Sequence, residues 1–149
     1  MAKKQKGVKE NHRYLIGQVK SVGAPNFIMN PVELYEYLPQ GKEFSIKRVY
    51  WIADVKGEKK SGQHVHTDED EIFIVMRGSC NIILDDTGKK RSIPLKQNDI
   101  VWVPRLVWHG YEKMSTDCIV LALTNINYDP ERKGYIIDYA EFKKIVAQK

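Results

Sequence analysis

A chain of 149 residues, 42% hydrophobic and 29% charged, is long enough for one domain with one core and has the composition of a globular protein, not a disordered one. No apolar run approaches the roughly 20 residues of a membrane span, and the start "MAKKQKGVKENHR" lacks the apolar stretch of a secretory signal. The net charge of +5 lies entirely in residues 1–20, because the remaining 129 hold 18 basic and 18 acidic groups. That placement argues against nucleic acid as a partner and predicts a flexible basic tail over 1–20, followed by a single domain over 21–149. Cys80 and Cys118 sit in apolar runs without partner spacing, which suits buried reduced thiols and a cytoplasmic location.

In chain order, "NPVELYEYL" (30–38) has an Asn cap followed by Pro and predicts a short helix. "FSIKRVYWIADV" (44–55) is rich in β-branched and aromatic residues and predicts a strand, broken by "VKGEKKSG". "EIFIVMRGSCNIILDD" (71–86) is two apolar runs around Gly78, and Asp85-Asp86-Thr87-Gly88 is a hairpin turn. "KRSIPL" (90–95), a turn at Gln97-Asn98-Asp99, "IVWVP" (100–104) and "DCIVLALTN" (117–125) continue the strand pattern. "DYAEFKKIVAQK" (138–149) predicts a terminal helix with an Asp cap. Turn signals at this spacing predict an all-β sandwich or small barrel with short terminal helices.

One stretch carries chemistry. "GQHVHTDEDE" (62–71) puts His64 and His66 two residues apart, so on a strand both point to the same side. Three readings compete: a metal site, a pair of catalytic bases, or a polar loop. Asp68, Glu69 and Asp70 read as a solvated turn between strands.

The series continues with Glu71 and Gly78, and "DIVWVPRLVWH" supplies Pro104 and His109. This resembles the two-part signature of the cupin superfamily, G-x(5)-H-x-H-x(3,4)-E-x(6)-G and G-x(5)-P-x-G-x(2)-H-x(3)-N. Asn98, Leu106 and Lys113 stand where the second part has Gly, Gly and Asn. The resemblance implies a double-sheet, jelly-roll-like barrel with the histidines and the glutamate converging inside.

"IKRVY" (46–50), the H-x-H, "VWH" (107–109) and the closing "YDPERKGYIIDYAEF" (128–142) narrow this to the nucleotide-sugar 3,4-ketoisomerases, which the chain resembles over about residues 44–145. That resemblance implies an enzyme moving the ketone of a dTDP-4-keto-6-deoxyhexose from C4 to C3 through an enediolate, with no cofactor. Such enzymes serve deoxysugar pathways for surface glycans. They form homodimers with exchanged N-terminal strands, and some are fused to acyltransferases. By the same resemblance His64 is the base, His66 relays the proton or polarises the oxygen, and Tyr50 is a candidate donor to the enediolate. Arg48 shares a strand face with Tyr50, and with Arg77 and Arg105 it is a candidate reader of the diphosphate. Trp108 is a candidate flank for the sugar or base, and Glu71 and His109 line the pocket.

The chain departs from the family in three ways that bear on chemistry, one being Ser61 where an Arg commonly precedes Gly in R-G-x-H-x-H. "NFIMNPVELYEYLPQG" (26–41) has no arginine where members carry a D-x-R-G-type segment. Glu71 replaces a frequent glutamine, which completes a metal-ligand set. Two further readings therefore stay open: a metal-dependent cupin holding Fe, Mn, Ni or Zn on His64, His66, Glu71 and His109, and a non-catalytic cupin that binds a nucleotide sugar.

Overall fold

Apolar residues at every second position need two environments, one on each face of a strand, and the chain supplies them with stacked sheets. The structure is a computed structural model that describes residues 12–19, 37–39, 41–56 and 61–149. Among these residues the elements are β1 (Leu15–Gln18), β2 (Arg48–Ile52), β3 (Val65–His66), β4 (Glu71–Arg77), β5 (Ser79–Asp85), β6 (Arg91–Lys96), β7 (Asp99–Val103), β8 (Trp108–Glu112), β9 (Ile119–Thr124), β10 (Tyr135–Ile136) and α1 (Tyr139–Ala147).

One sheet runs β1-β7-β4-β9-β2, a second runs β6-β5-β8, and β10 pairs with β3. All the pairings are antiparallel. The two larger sheets enclose one core, to which Phe73 and Val75 of β4, Ile82 and Leu84 of β5, and Val101 and Val103 of β7 contribute. The alternate residues Ile72, Ile74, Ile100 and Trp102 form a second cluster on the other face of the five-stranded sheet. This is the double-sheet barrel that the resemblance implies.

Helix α1 begins where expected. Asp138 accepts hydrogen bonds from the amides of Ala140 and Glu141, satisfying two donors that the first turn leaves open. Phe142 is buried against Trp108 and Val65, so the helix covers the outer face of β3 and β8. The Tyr139 hydroxyl donates to Asp85 Oδ2 at 2.6 Å, while Asp85 Oδ1 accepts from the amides of Thr87, Gly88 and Lys89. One carboxylate thus shapes the β5–β6 hairpin and ties the helix to it.

Three strands carried no legible signal: β1, β8 and β10. Residues 15–18 fall in the predicted basic tail yet pair with β7, so the order of the domain starts earlier than charge indicated. Their apolar content is too short for a pattern, and strand pairing supplies what composition could not. Residues 1–11 of that tail, and 30–36 of the predicted first helix, lie outside the described residues.

Gly78 is a corner between sheets and not a hairpin, since β4 and β5 belong to different sheets. Its φ of +70° is the left-handed region, and a Cβ there would meet Asp117 Oδ1 at 2.7 Å, Cys118 Cα at 2.9 Å and, closest of all, Ser115 Oγ. Two of these neighbours are backbone or short, so neither can yield easily. Gly78→Ala should therefore cost at least about 2 kcal/mol and lower the thermal midpoint by about 4–8 °C, measured by calorimetry. An unchanged midpoint would mean that this corner is not tightly packed.

Candidate active site

The cavity of about 420 Å³ opens between β2, the β3–β4 segment and the β9–β10 connection, and its wall includes Arg48, Tyr50, His64, His66, Glu71 and Tyr135. Strand periodicity accounts for most of these. Arg48 and Tyr50 alternate with Val49 and Trp51, which are exposed on the other face of β2. His64 and His66 alternate with Val65, which is buried under α1. Glu71 shares a face of β4 with Phe73 and Val75.

His64 Nε2 and His66 Nε2 lie 3.1 Å apart, a distance that requires one proton between them. The ring of His64 stacks on Tyr135, with centroids 4.5 Å apart and planes 28° apart. His109 faces Glu71 from β8 on the opposite sheet, with Nε2 2.9 Å from Glu71 Oε2. Its Nδ1 is 3.0 Å from the Val107 carbonyl. Both nitrogens lie near acceptors, and contact with the Glu71 carboxylate favours the charged form of the His109 ring. The Tyr50 hydroxyl donates to Glu71 Oε1 at 2.8 Å.

Glu69 also enters the site. It is 4% exposed, accepts from Arg48 Nη2 at 2.5 Å, and sets Oε2 3.3 Å from His66 Nδ1. The expectation of a solvated turn therefore fails at Glu69, though Asp68 is exposed and Asp70 half-buried. The bend at Thr67–Asp68 resets the alternation, so that Glu69 and Glu71 point inward.

The electrostatics sort these groups. Burial pushes His64 down to about 3, helped by the charges of His109 and His66. Burial likewise pushes His66 down to about 4, against the pull of Glu71. Burial alone would raise Glu71, but His109, His66 and the Tyr50 hydroxyl together hold it at about 2. Burial also works against a charged His109, yet contact with Glu71 lifts it above the ordinary histidine value. Burial and the Glu71 charge raise Glu69 to about 7, and burial with the Glu71 carboxylate raises the Tyr50 phenol. The result is two neutral histidines facing the cavity, with one charged pair beneath them. Glu71 charges His109 and leaves His64 and His66 neutral.

His64, His66, Glu71 and His109 offer four donor atoms within 4.8 Å of one another. Glu71 Oε2 and His109 Nε2 are buried and close, but off the line of a hydrogen bond. Three imidazoles and one carboxylate in this arrangement fit a divalent transition metal, which would act there as a Lewis acid on a substrate oxygen. The same atoms also balance without a metal, since the His109 cation offsets the Glu71 charge.

Of the other residues singled out in sequence, three lie away from the cavity. Trp108 precedes His109 on a strand and so points to the opposite face, packing on Tyr139 and Phe142 at 2% exposure. Arg105 pairs with Asp70 at 3.1 and 3.2 Å. Arg77 is solvated at the end of β4, with Asp117 3.5 Å away. Sequence reasoning missed Tyr128, Arg132, Lys133 and Tyr135, which the β9–β10 connection brings to the cavity wall. Their signal was the aromatic and basic clustering in "YDPERKGY" (128–135).

Comparison with known proteins agrees with this geometry. The family model FdtA (WxcM-like, C-terminal) matches residues 33–147. A TDP-4-oxo-6-deoxy-alpha-D-glucose-3,4-oxoisomerase of Aneurinibacillus thermoaerophilus is 39% identical over 106 residues, covering 70% of this chain and 75% of the relative. The structure of WlaRA, a TDP-fucose-3,4-ketoisomerase from Campylobacter jejuni, is similar with a TM-score of 0.76 and 32% identity, over 90% of this chain and 96% of that one. A 3,4-ketoisomerase from Helicobacter canadensis gives a TM-score of 0.78 at 29% identity, over 91% and 98% of the two chains. Among the described residues no helix is long and apolar enough to cross a membrane. With this site on this cupin barrel, the chain belongs to the FdtA family of sugar-nucleotide 3,4-ketoisomerases.

Proposed function

We propose that the protein moves the ketone of a dTDP-linked 4-keto-6-deoxyhexose from C4 to C3 by histidine acid–base catalysis. The observation that carries this reading is the pair of neutral, proton-sharing imidazoles, His64 and His66, on the wall of a sugar-sized cavity. The C3 proton passes to His64 Nε2 as the shared proton moves fully onto His66 Nε2. The C3–H electron pair forms the C3–C4 double bond, and the C4 carbonyl oxygen becomes the enediolate oxyanion. His66 then delivers a proton to C4, while the 3-hydroxyl proton moves to the oxygen on C4 and leaves a carbonyl at C3. General acid–base catalysis of this kind contributes about 10²–10⁴-fold.

Arg48 is positioned to oppose the developing oxyanion, since its Nε is buried with no hydrogen bond among the described residues. Tyr50 gives its one proton to Glu71, so in the resting site it anchors that carboxylate, and donation to substrate requires the hydroxyl to turn. Arg132 and Lys133 take the diphosphate role that sequence suggested for Arg77 and Arg105, because they line the cavity and those two do not. Tyr135 fixes the His64 ring by stacking, and Glu71 with His109 forms the floor.

The same reading places the enzyme in the cytoplasm as one domain. A homodimer with exchanged N-terminal strands is supported by exposed Ile46, Val49 and Trp51 on or near β2, an edge strand.

Incubation with dTDP-4-keto-6-deoxyglucose in deuterated water, followed by NMR, should show the 3-keto product and deuterium at C4. Binding without exchange would favour a non-catalytic nucleotide-sugar cupin. His64→Asn should abolish turnover with dTDP binding nearly unchanged, and more than about a tenth of wild-type turnover would defeat the assignment.

The pH profile follows from burial. His64 must be unprotonated to accept a proton, and its lowered value keeps it so well below neutrality. The acid limb of kcat/KM should therefore lie below the ordinary histidine value of 6.5. A limb above that value would assign the base to another group.

The donor set makes metal content decisive. A metal-free mechanism predicts that chelator leaves activity unchanged and that Glu71→Gln stays within about tenfold of wild type. Stoichiometric transition metal with chelator-sensitive activity would instead establish the metal-dependent reading.

A further inference from the structure

We infer that Tyr135 is a positioning residue that couples the diphosphate end of the substrate to the base His64, with Arg132 as the link between them. The inference rests on the proposed isomerisation and on the diphosphate role given there to Arg132, and it goes further by joining the two.

One aromatic ring touches all the parts. Strand β10 pairs with β3 so that Tyr135 lies opposite His66 and, on the same face, diagonal to His64. Its ring stacks on His64 with centroids 4.5 Å apart, and lies 5.4 Å from that of His66 at 61° to its plane. The Arg132 guanidinium sits over the same ring, with Cζ 4.8 Å from its centroid. A guanidinium is flat and permanently charged, so it can stack by its face and still present its edge to two phosphate oxygens.

His64 depends on this packing. It stands just before the two-residue strand β3, and its Nδ1 is 3.4 Å from the Gly62 carbonyl, a long contact. His66 and His109 also touch the ring, with centroids at 4.7 and 4.5 Å. Of the three, Tyr135 is the one joined to the connection that carries Arg132.

The turn that aims Arg132 is strained and held. Arg132 has a φ of +51°, the left-handed region, which an arginine adopts where its surroundings impose it. Asp129 imposes it: its carboxylate accepts from the amides of Glu131 and Lys133 at 2.9 and 3.0 Å, and its carbonyl from that of Arg132 at 3.0 Å. The Arg132 carbonyl then accepts from the Tyr135 amide at 3.2 Å, and the Gly134 carbonyl from the Thr67 amide at 2.8 Å. Arg132 and Tyr135 therefore form one unit, tied to the residue that follows His66. A diphosphate that grips Arg132 acts on the ring against which His64 rests. Binding energy from a part of the substrate that does not react is thus used at the reacting carbon.

The coupling is read in the split between KM and kcat for dTDP-4-keto-6-deoxyglucose. If Arg132 only held the diphosphate, Arg132→Lys would raise KM and leave kcat alone. The coupling predicts that kcat falls as well, by about fivefold or more. Tyr135→Leu should lower kcat by about tenfold with KM within about threefold, and Tyr135→Phe, which keeps the stacked ring, should recover most of it. In the Tyr135→Leu background, Arg132→Lys should cost no further kcat. A readout without turnover is the His64 ring signal of ¹⁵N-histidine-labelled protein titrated with dTDP, which carries the diphosphate but no sugar. That signal should shift in wild type and in Tyr135→Phe, and stay in place in Tyr135→Leu.

An unchanged kcat in Arg132→Lys would overturn the inference, and Arg132 is exposed, so that variant keeps the fold. So would additive losses in the double variant, no His64 shift in wild type, or a shift as large in Tyr135→Leu. If the wild type shows no isomerisation, the proposed function fails, while the dTDP titration still decides whether Tyr135 transmits diphosphate binding to His64.

Discussion

The structure depends on one carboxylate being kept charged inside a protein. Glu71 is 1% exposed, and its neighbours come from three separate strands: Tyr50 from β2, His109 from β8, and His66 from β3. Because β4 and β8 belong to different sheets, the Glu71–His109 pair spans the barrel where the cavity has its floor. Removing one member of such a buried pair strands the other charge, a cost of about 3–5 kcal/mol. The pair also consumes charge that would otherwise reach the working histidines. With the proton held on His109, His64 and His66 remain neutral.

How much of this was legible in the sequence depended on range. His64, His66, Arg48 and Tyr50 could be read because two-residue periodicity is local, and strand pairing preserved it, while Glu71 was legible through its spacing from His66. His109 was legible only through its spacing from Pro104. The acidic run 68–70 was not, because its carboxylates look alike until the bend at Thr67–Asp68 decides which face inward. Tyr135 and Arg132 stood in a visible aromatic and basic cluster, but its destination lay beyond local reasoning. They reach the cavity because β10 returns to pair with β3, Tyr135 opposite His66, and no pattern within 128–135 announces that partner. Trp108 failed for the opposite reason: the alternation that places His109 inside necessarily places its neighbour outside.

The departures from the cupin signature have a common backbone explanation. Asn98, Leu106 and Lys113, which replace two glycines and an asparagine, have φ of +73°, +64° and +51°. All three positions thus take the left-handed backbone that a glycine would accept without strain. Asn tolerates this region, while a left-handed Leu or Lys costs about 1–2 kcal/mol each. Surrounding order must hold these turns: Leu106 donates its amide to the His66 carbonyl at 2.7 Å, and the Asn98 amide donates to Val75 at 2.8 Å. A signature can therefore erode at its turns while its strands keep the chemistry aligned.

The thinness of the wall formed by β2 has a last consequence. One face of this five-residue strand carries Arg48 and Tyr50 into the cavity, and the other carries Trp51, which is 68% exposed. The remaining two tryptophans, Trp102 and Trp108, are 6% and 2% exposed, so fluorescence that responds to the surroundings of one chain, solvent or partner subunit, belongs to Trp51. The indole is bonded next to two residues of the cavity wall yet faces away from it. The molecule thus carries its own optical probe, placed to register from outside a displacement of the strand that a ligand grips from within.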